Sequence, residues 1–423
     1  MDEFLAFDKE DREQQQRHEH MPKEDRIKKR EFSSKSSQSA IKRKREGIRQ
    51  VPASSLLSTT SPWMEYAAHS FLSPNHTISE KRLAYWKHYA SLHPIVQLHE
   101  EIIAFEQYIS PTPSEMKARS DLLQRIDNVV QELWPGSKVP LGVSSFGSFY
   151  TQLYLPTSDV DLVVIGNSGK SGLRRLASEL VKQGLAEQHS IKVISRARIP
   201  IIKFTEKKSK IVVDISFNQE SGVEGSEKLR RLVGKWPGIL PLLLVLKQFL
   251  LNRGLNEVYS GGLSSYGLIL LCVSFFQMHP MIQARLIRPE ENLGVLLIEF
   301  FELFGKCLSY DRVGVSVLGR GSYFEKGERF PISNHHSGHL LAVEDPYDTS
   351  NDVTKASFSI SVVRQAFGYA FEILTALVGE RLRMLLDPDP ERVASLKGLA
   401  ALPPSLLSSI VVVPEDVRNR RLQ

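Results

Sequence analysis

Apolar residues recur at helical spacing from Ser79 to about Ile109, at Leu83, Trp86, Tyr89, Ile95, Leu98, Ile102, Ile103 and Phe105. Pro94 divides this run into two helices, because proline has no N–H to donate and clashes with the turn before it. Ile109-Ser110-Pro111-Thr112-Pro113 is a stop, and Ser114 is placed to cap the next helix. That helix carries Leu122, Ile126, Val129, Val130 and Leu133 on one stripe and runs to about Trp134. The pattern then changes to short β-forming runs: Val139 to Ser145, Asp159 to Val164, Ile191 to Ala197, Ile199 to Thr205 and Ile211 to Phe217. One amphipathic helix, Leu173 to Gln183, interrupts them. Farther on, Leu240–Leu250, Leu263–Met278, Leu293–Phe304 and Phe358–Leu386 read as apolar helices. Val313–Val317 reads as a strand paired with Leu340–Val343, followed by a polar, turn-rich loop from Glu344 to Val353. The succession predicts an α+β fold: a mixed sheet with helices, then a mainly helical domain.

One strand breaks its own pattern. Asp159 and Asp161 sit one residue apart among Val160, Leu162, Val163 and Val164. Side chains at i and i+2 share a face of a strand, so two carboxylates project together from a rigid element. Like charges this close call for a cation, and hard divalent ions with oxygen ligands are the natural one. A Gly147-Ser148 turn precedes the pair and can hold phosphate through backbone N–H groups and a hydroxyl. Asp214 stands at the centre of a later apolar strand, where an unpaired carboxylate is costly. Three such aspartates and a Gly-Ser turn are the layout for phosphoryl transfer between two Mg²⁺ or Mn²⁺ ions. No nucleophilic side chain is required for that chemistry.

Composition narrows the setting. Apolar residues make up 42% of the 423, charged residues 24%, and the net charge is +6, which suits an anionic partner. Cys272 and Cys307 lie in apolar runs, expected as two buried thiols, with neither zinc spacing nor a disulfide framework. No uncharged run of membrane-spanning length and no signal-peptide pattern are present, so no membrane association is expected. Residues 1–60 are polar, with a Ser-rich patch and the basic clusters Lys28-Lys29-Arg30 and Lys42-Arg43-Lys44-Arg45. They read as a disordered basic tail suited to nuclear import. His335, His336 and His339 fall in a loop and read as structural rather than metal-binding; Gly319 and Gly321 read as turns.

The set GSF, LYLPTSDVDLVV, VDISF, LVLKQFLLNRGLNEVYSGGLSSYGLILL and EDPYDTSNDV resembles, in this order, the Trf-type poly(A) polymerases of TRAMP complexes. These belong to the polymerase-beta-like nucleotidyltransferase superfamily, and the resemblance covers roughly residues 62–386. It implies a polymerase-beta-like palm domain at 112–233 and a helical central domain at 234–387, to which 62–111 contributes, with nucleotide in the cleft between them. Residues 388–423 are expected to be loosely ordered. The resemblance implies metal ligation by Asp159, Asp161 and Asp214, and phosphate contacts from Gly147, Ser148, Lys247 and Ser265. It implies stacking of the base on Tyr266, a sugar contact near Gly222 and Ser226, and a nucleotide-recognition loop holding Asp345, Asp348 and Asn351. Uridylyl-transferring relatives carry histidine where this chain has Asn351, which favours ATP over UTP. Some relatives place a second lysine at Leu251, and the Gly225-Ser226 pair also departs from the family. The implied activity is template-independent addition of adenylate to nuclear RNA 3′ ends, linked to exosome surveillance. A zinc-knuckle RNA-binding subunit and an RNA helicase are the implied partners, in the nucleus and its nucleolus. A terminal uridylyltransferase and a catalytically silent RNA-processing scaffold are the alternatives.

Overall fold

A computed structural model describes residues 61–70, 77, 80, 81, 84, 85, 88, 89, 92–135, 141–166, 172–197, 199–330, 340–386, 405–415 and 417. The basic tail, the histidine cluster and much of the helix expected from Ser79 lie outside these residues.

The chain enters with α1 (Pro62–Ser70), α2 (Pro94–Ile109) and α3 (Pro113–Leu133). Pro94 starts α2 rather than interrupting a longer helix, as its missing N–H allows. The cap of α3 is Thr112, not Ser114: its hydroxyl accepts from Glu115 N–H while the Glu115 carboxylate accepts from Thr112 N–H. This reciprocal pairing satisfies two orphan donors at once, which Ser114, two residues farther on, cannot do.

Five strands follow: β1 (Gly142–Phe146), β2 (Val160–Ile165), β3 (Lys192–Ile194), β4 (Ile201–Thr205) and β5 (Val212–Phe217). A short helix α4 (Gly147–Thr151) separates β1 from β2, and α5 (Gly172–Lys182) precedes β3. The sheet order is β1-β2-β5-β4-β3, with β2 and β5 parallel and the other pairs antiparallel. Alternation decides its two faces. Val160, Leu162, Val164, Ile202, Phe204, Val213 and Ile215 are fully buried in one apolar cluster with Leu122, Ile126, Leu176 and Leu180 of α3 and α5. Asp161, Lys203 and Asp214 alternate with them and so point to the opposite face.

The next helix, α6 (Glu220–Val233), was not expected from the sequence and carries the chain out of the sheet domain. A second core then gathers α7 (Ile239–Asn252), α8 (Ser265–Met278), α9 (Leu293–Glu302) and α10 (Ile360–Leu386) with α1 and α2. Its sheet has the order β7-β6-β8-β9, from β6 (Val313–Ser316), β7 (Ser322–Glu325), β8 (Ala342–Asp345) and β9 (Asp348–Asp352). β6 pairs with β8, as the sequence suggested, and the structure makes the pair parallel. The supposed loop from Glu344 to Val353 is instead largely a hairpin, β8 against β9. Its polar strands carry little β signal because β9 is an edge whose side chains face solvent.

Two other expectations change. Cys272 is buried, but Cys307 is exposed: the helix ends in a π turn, Leu303–Cys307, whose extra residue rotates the last positions off the apolar stripe. Residues 405–415 and Val417 are docked rather than loose, with Leu406, Leu407, Ile410, Val411 and Val413 fully buried against α2 and α7. A buried Glu101 on α2 holds it. Its carboxylate accepts from Leu406 N–H at 2.8 Å, Leu407 N–H at 2.7 Å, the Ser405 hydroxyl and the Tyr89 hydroxyl. Glu101→Ala therefore strands four donors in the interior, at about 3 kcal/mol or more. The expected outcome is a Tm lower by roughly 5–10 °C and early proteolysis at Leu406 and Leu407, read by calorimetry and limited chymotrypsin digestion.

Candidate active site

β1, α4 and the start of β2 form one tight unit. Gly147 sits at φ +63°, and a Cβ there would lie 2.6 Å from Asp161 Oδ2, so only glycine lets the turn pass the carboxylate. Its N–H donates to the Ser226 hydroxyl on α6 at 2.8 Å, and that hydroxyl donates to Gly222 O at 2.7 Å. Gly222 itself packs against Phe146, where a Cβ would approach the ring at 3.2 Å. Neither Gly222 nor Ser226 belongs to the lining of the cleft; both hold the Gly-Ser turn from behind.

The sheet register brings the aspartates together. Asp161 on β2 is paired directly with Asp214 on β5, and Asp214 with Lys203 on β4. Lys203 Nζ lies 2.9 Å from Asp214 Oδ2 and 3.4 Å from Asp159 Oδ2, so all three carboxylates share one face. Burial, then Asp159 and Asp214, push the Asp161 carboxyl up to about 7. Burial raises Asp214 as well, against the opposing pull of Lys203. For Lys203 burial works downward, but its hydrogen bond and charge contact with Asp214 prevail and hold it above its ordinary value.

Among the described residues no three acidic, imidazole or thiol side chains already surround a single point. The ammonium of Lys203 supplies the positive charge between Asp159 and Asp214. The donor chemistry nevertheless fits hard divalent ions: three oxygen-only ligands, strained by mutual repulsion, with Asp214 Oδ1 buried and lacking a hydrogen-bond partner.

These groups open into a cavity of about 700 Å³ between the two cores, lined by Gly147, Ser148, Asp159, Asp161, Lys203, Lys247, Leu251, Ser265 and Tyr266 among others. Lys247 is buried on α7 and donates to Leu153 O at 2.5 Å. Burial pulls its ammonium down to about 8, although Asp159 and Asp161 favour the charged form. Ser265 begins α8, whose N-terminal residues Ser265 and Tyr266 line the cavity beside the Ser264 cap. The Tyr266 hydroxyl donates to Asp345 Oδ1 at 3.0 Å, and Asn351 Nδ2 donates to Asp345 Oδ2 at 3.2 Å. Asp345 is thus the hub of a small polar network. Asp348 stands apart from it, accepting from Ser350 N–H and hydroxyl at the start of β9.

Sequence reasoning missed two residues. Lys203 was detectable by the logic that singled out Asp214, as one charge in the apolar run Ile201-Ile202-Lys203-Phe204. Arg119 gave no signal, because an arginine on an amphipathic helix reads as surface. It is buried, donating to Pro156 O at 3.0 Å and Ser158 O at 3.1 Å, with its guanidinium 4.7 Å from the centre of the Tyr154 ring. Two bonds from a rigid fork thus fix the loop that delivers Asp159. Arg119→Met keeps the apolar stem and removes both bonds. Its expected effect is a loss in kcat of roughly 10- to 100-fold with helix content intact, measured by steady-state kinetics and circular dichroism.

Comparison with known proteins agrees with this geometry. Residues 98–231 match the family model described as "Poly(A) RNA polymerase, mitochondrial-like, central palm domain", and 292–351 match "Cid1 family poly A polymerase". Poly(A) RNA polymerase cid14 of Schizosaccharomyces pombe is 40% identical over 328 residues, which are 76% of this chain and 46% of that protein. The chain thus spans about half the length of such relatives. Trf4-2 of Drosophila melanogaster, whose name marks it as an inactive poly(A) RNA polymerase, is 37% identical over 77% of this chain and 75% of its own. The polymerase core of TRAMP, an RNA surveillance complex, superposes with a TM-score of 0.66 at 37% identity, over 77% of this chain and 97% of that one. This chain belongs to the Trf and Cid14 family of poly(A) RNA polymerases.

Proposed function

We propose that this protein adds adenylate from ATP to RNA 3′ ends without a template. The observation that carries the reading is the register that sets Asp161 beside Asp214, on the face that opens into the cavity with Lys247 and Tyr266. Asp159, Asp161 and Asp214 would hold divalent ions, Mg²⁺ or Mn²⁺, which when bound neutralise phosphate charge and favour the ionised hydroxyl. Gly147 and Ser148 receive the triphosphate at the turn that Ser226 keeps rigid. Lys247 adds a cation beneath it, and Ser265 a hydroxyl at the N-terminus of α8. Tyr266 gives the base a flat surface whose tilt is fixed through Asp345. Asn351 is small and already turned toward Asp345, which leaves room for a purine. Lys203 orients Asp159 and Asp214 before substrate arrives.

The same reading extends to a nuclear setting, suited to the basic clusters of residues 1–60, to tailing for exosome-linked surveillance, and to partnership with a zinc-knuckle RNA-binding subunit and an RNA helicase; the likeness to the core of TRAMP, an RNA surveillance complex, supports the surveillance role. The inactive Drosophila relative sustains a second reading, a silent scaffold, against which stand the intact aspartates and Gly-Ser turn.

Primer extension separates these readings. A labelled RNA oligomer with Mg²⁺ and each NTP in turn is expected to gain A-tails with ATP from the parent chain, and none from Asp159→Ala or Asp161→Ala. Absence of extension by the parent would favour the scaffold. Asn351→His is expected to shift the ATP-to-UTP ratio of kcat/KM toward UTP by tenfold or more, as a bulkier donor crowds the larger base.

A further inference from the structure

Helix α6 has two working faces. Ser226 and Leu229 face the catalytic unit, the first bonded to Gly147 and the second lining its cavity. Lys228, Arg231 and Lys235 line a different groove, of about 430 Å³, closed on its far side by Leu318 at the β6–β7 turn and by Tyr347 at the β8–β9 turn. Lys228 and Arg231 lie three residues apart on one face of α6, and Lys235 follows in the turn just beyond Val233.

The floor of the groove is sealed, with two polar atoms left unmatched beneath it. The indole N–H of Trp236 is buried without a hydrogen-bond partner, and so is the Oε1 of Gln277, a side chain only 6% exposed. Both residues line the groove. A buried donor and a buried acceptor left unmatched cost about 1–3 kcal/mol each unless a ligand or solvent meets them. Gln277 is anchored through its other end, which donates to Val317 O at 3.1 Å, so its free oxygen is held in place. Above them, the Tyr347 ring is 43% exposed and has the Lys228 ammonium 5.3 Å from its centre.

Cations along one wall and a partly exposed aromatic ring are elements that bind one nucleotide of a single strand: charge for phosphate, ring for stacking. An acidic peptide would use the cations but leave the ring unexplained. Glu224 and Glu227 temper these cations, the first 3.5 Å from Lys228 and the second bonded to Arg231, while Lys235 is exposed. The affinity is accordingly modest. We propose that this groove is a second RNA subsite, one helix width from the catalytic cavity, holding a nucleotide of the substrate upstream of its reacting 3′ end. The inference rests on the RNA-tailing activity proposed above.

The test compares binding and extension in the full chain. Anisotropy of a labelled 20-residue oligo(A) and a 4-residue oligo(A), without ATP and across a salt series, reads the subsite directly. Arg231→Ala combined with Lys235→Ala is expected to weaken the 20-mer about 5- to 10-fold and to flatten its log–log salt slope by roughly two. The same variant should leave the 4-mer's affinity, and its kcat for extension, unchanged. Tyr347→Ala, which removes the ring, should weaken the 20-mer without altering the salt slope. Unchanged 20-mer affinity and slope in the double variant would overturn the subsite, as would displacement of the 20-mer by a polyglutamate peptide but not by unlabelled oligo(A). A parent chain that binds RNA yet extends nothing with ATP would instead overturn the tailing activity and leave the binding result standing.

Discussion

Carboxylates on directly paired strands lie about 5 Å apart and repel by about 3 kcal/mol at an effective dielectric near 20. Asp161 and Asp214 are such a pair, and Asp159 joins them one residue before β2. Most of the site follows from that tension. Lys203 is threaded into the next strand, where its ammonium reaches Asp214 and Asp159. Asp161, farther from that lysine, carries the consequence as a carboxyl pushed up to about 7. A site poised in this way gains most from a cation that reaches all three groups, which the lysine does not.

Holding the charges together demands stiffness on the other side of the sheet. The faces of β2, β4 and β5 turned away from the site are fully buried against α3 and α5, so the strands cannot twist to relieve the repulsion without opening the core. Arg119 extends this stiffness to the loop before Asp159, and Ser226 extends it to Gly147. Both act through backbone groups rather than through the reacting atoms.

Helix α6 joins the two halves. It supports the Gly-Ser turn with Ser226, lends Leu229 and Val233 to the helical core, and turns its basic face to the groove beside the β8–β9 turn. That hairpin also carries Asp345, the acceptor that positions Tyr266 and Asn351. The Asp345 network and the Gly-Ser turn are therefore mounted on separate cores, with the cavity between them.

The sequence by itself determined whatever depends on local period and on a misplaced charge. Strand alternation put Asp159 and Asp161 on one face; a lone carboxylate in VVDISF marked Asp214; helical stripes marked α3, α7, α8 and α9. The ordered run of motifs carried the family. Only the tertiary structure decided which residues meet across long stretches of chain. Arg119 reaches Pro156 and Ser158, Glu101 reaches Ser405 to Leu407, and Ser226 reaches Gly147, each through side chains whose types are ordinary where they stand. The polar hairpin and the exposed Cys307 were hidden for a related reason: an edge strand and a π turn are set by neighbours and by an extra residue in the helix, neither of which leaves a hydrophobic period to read.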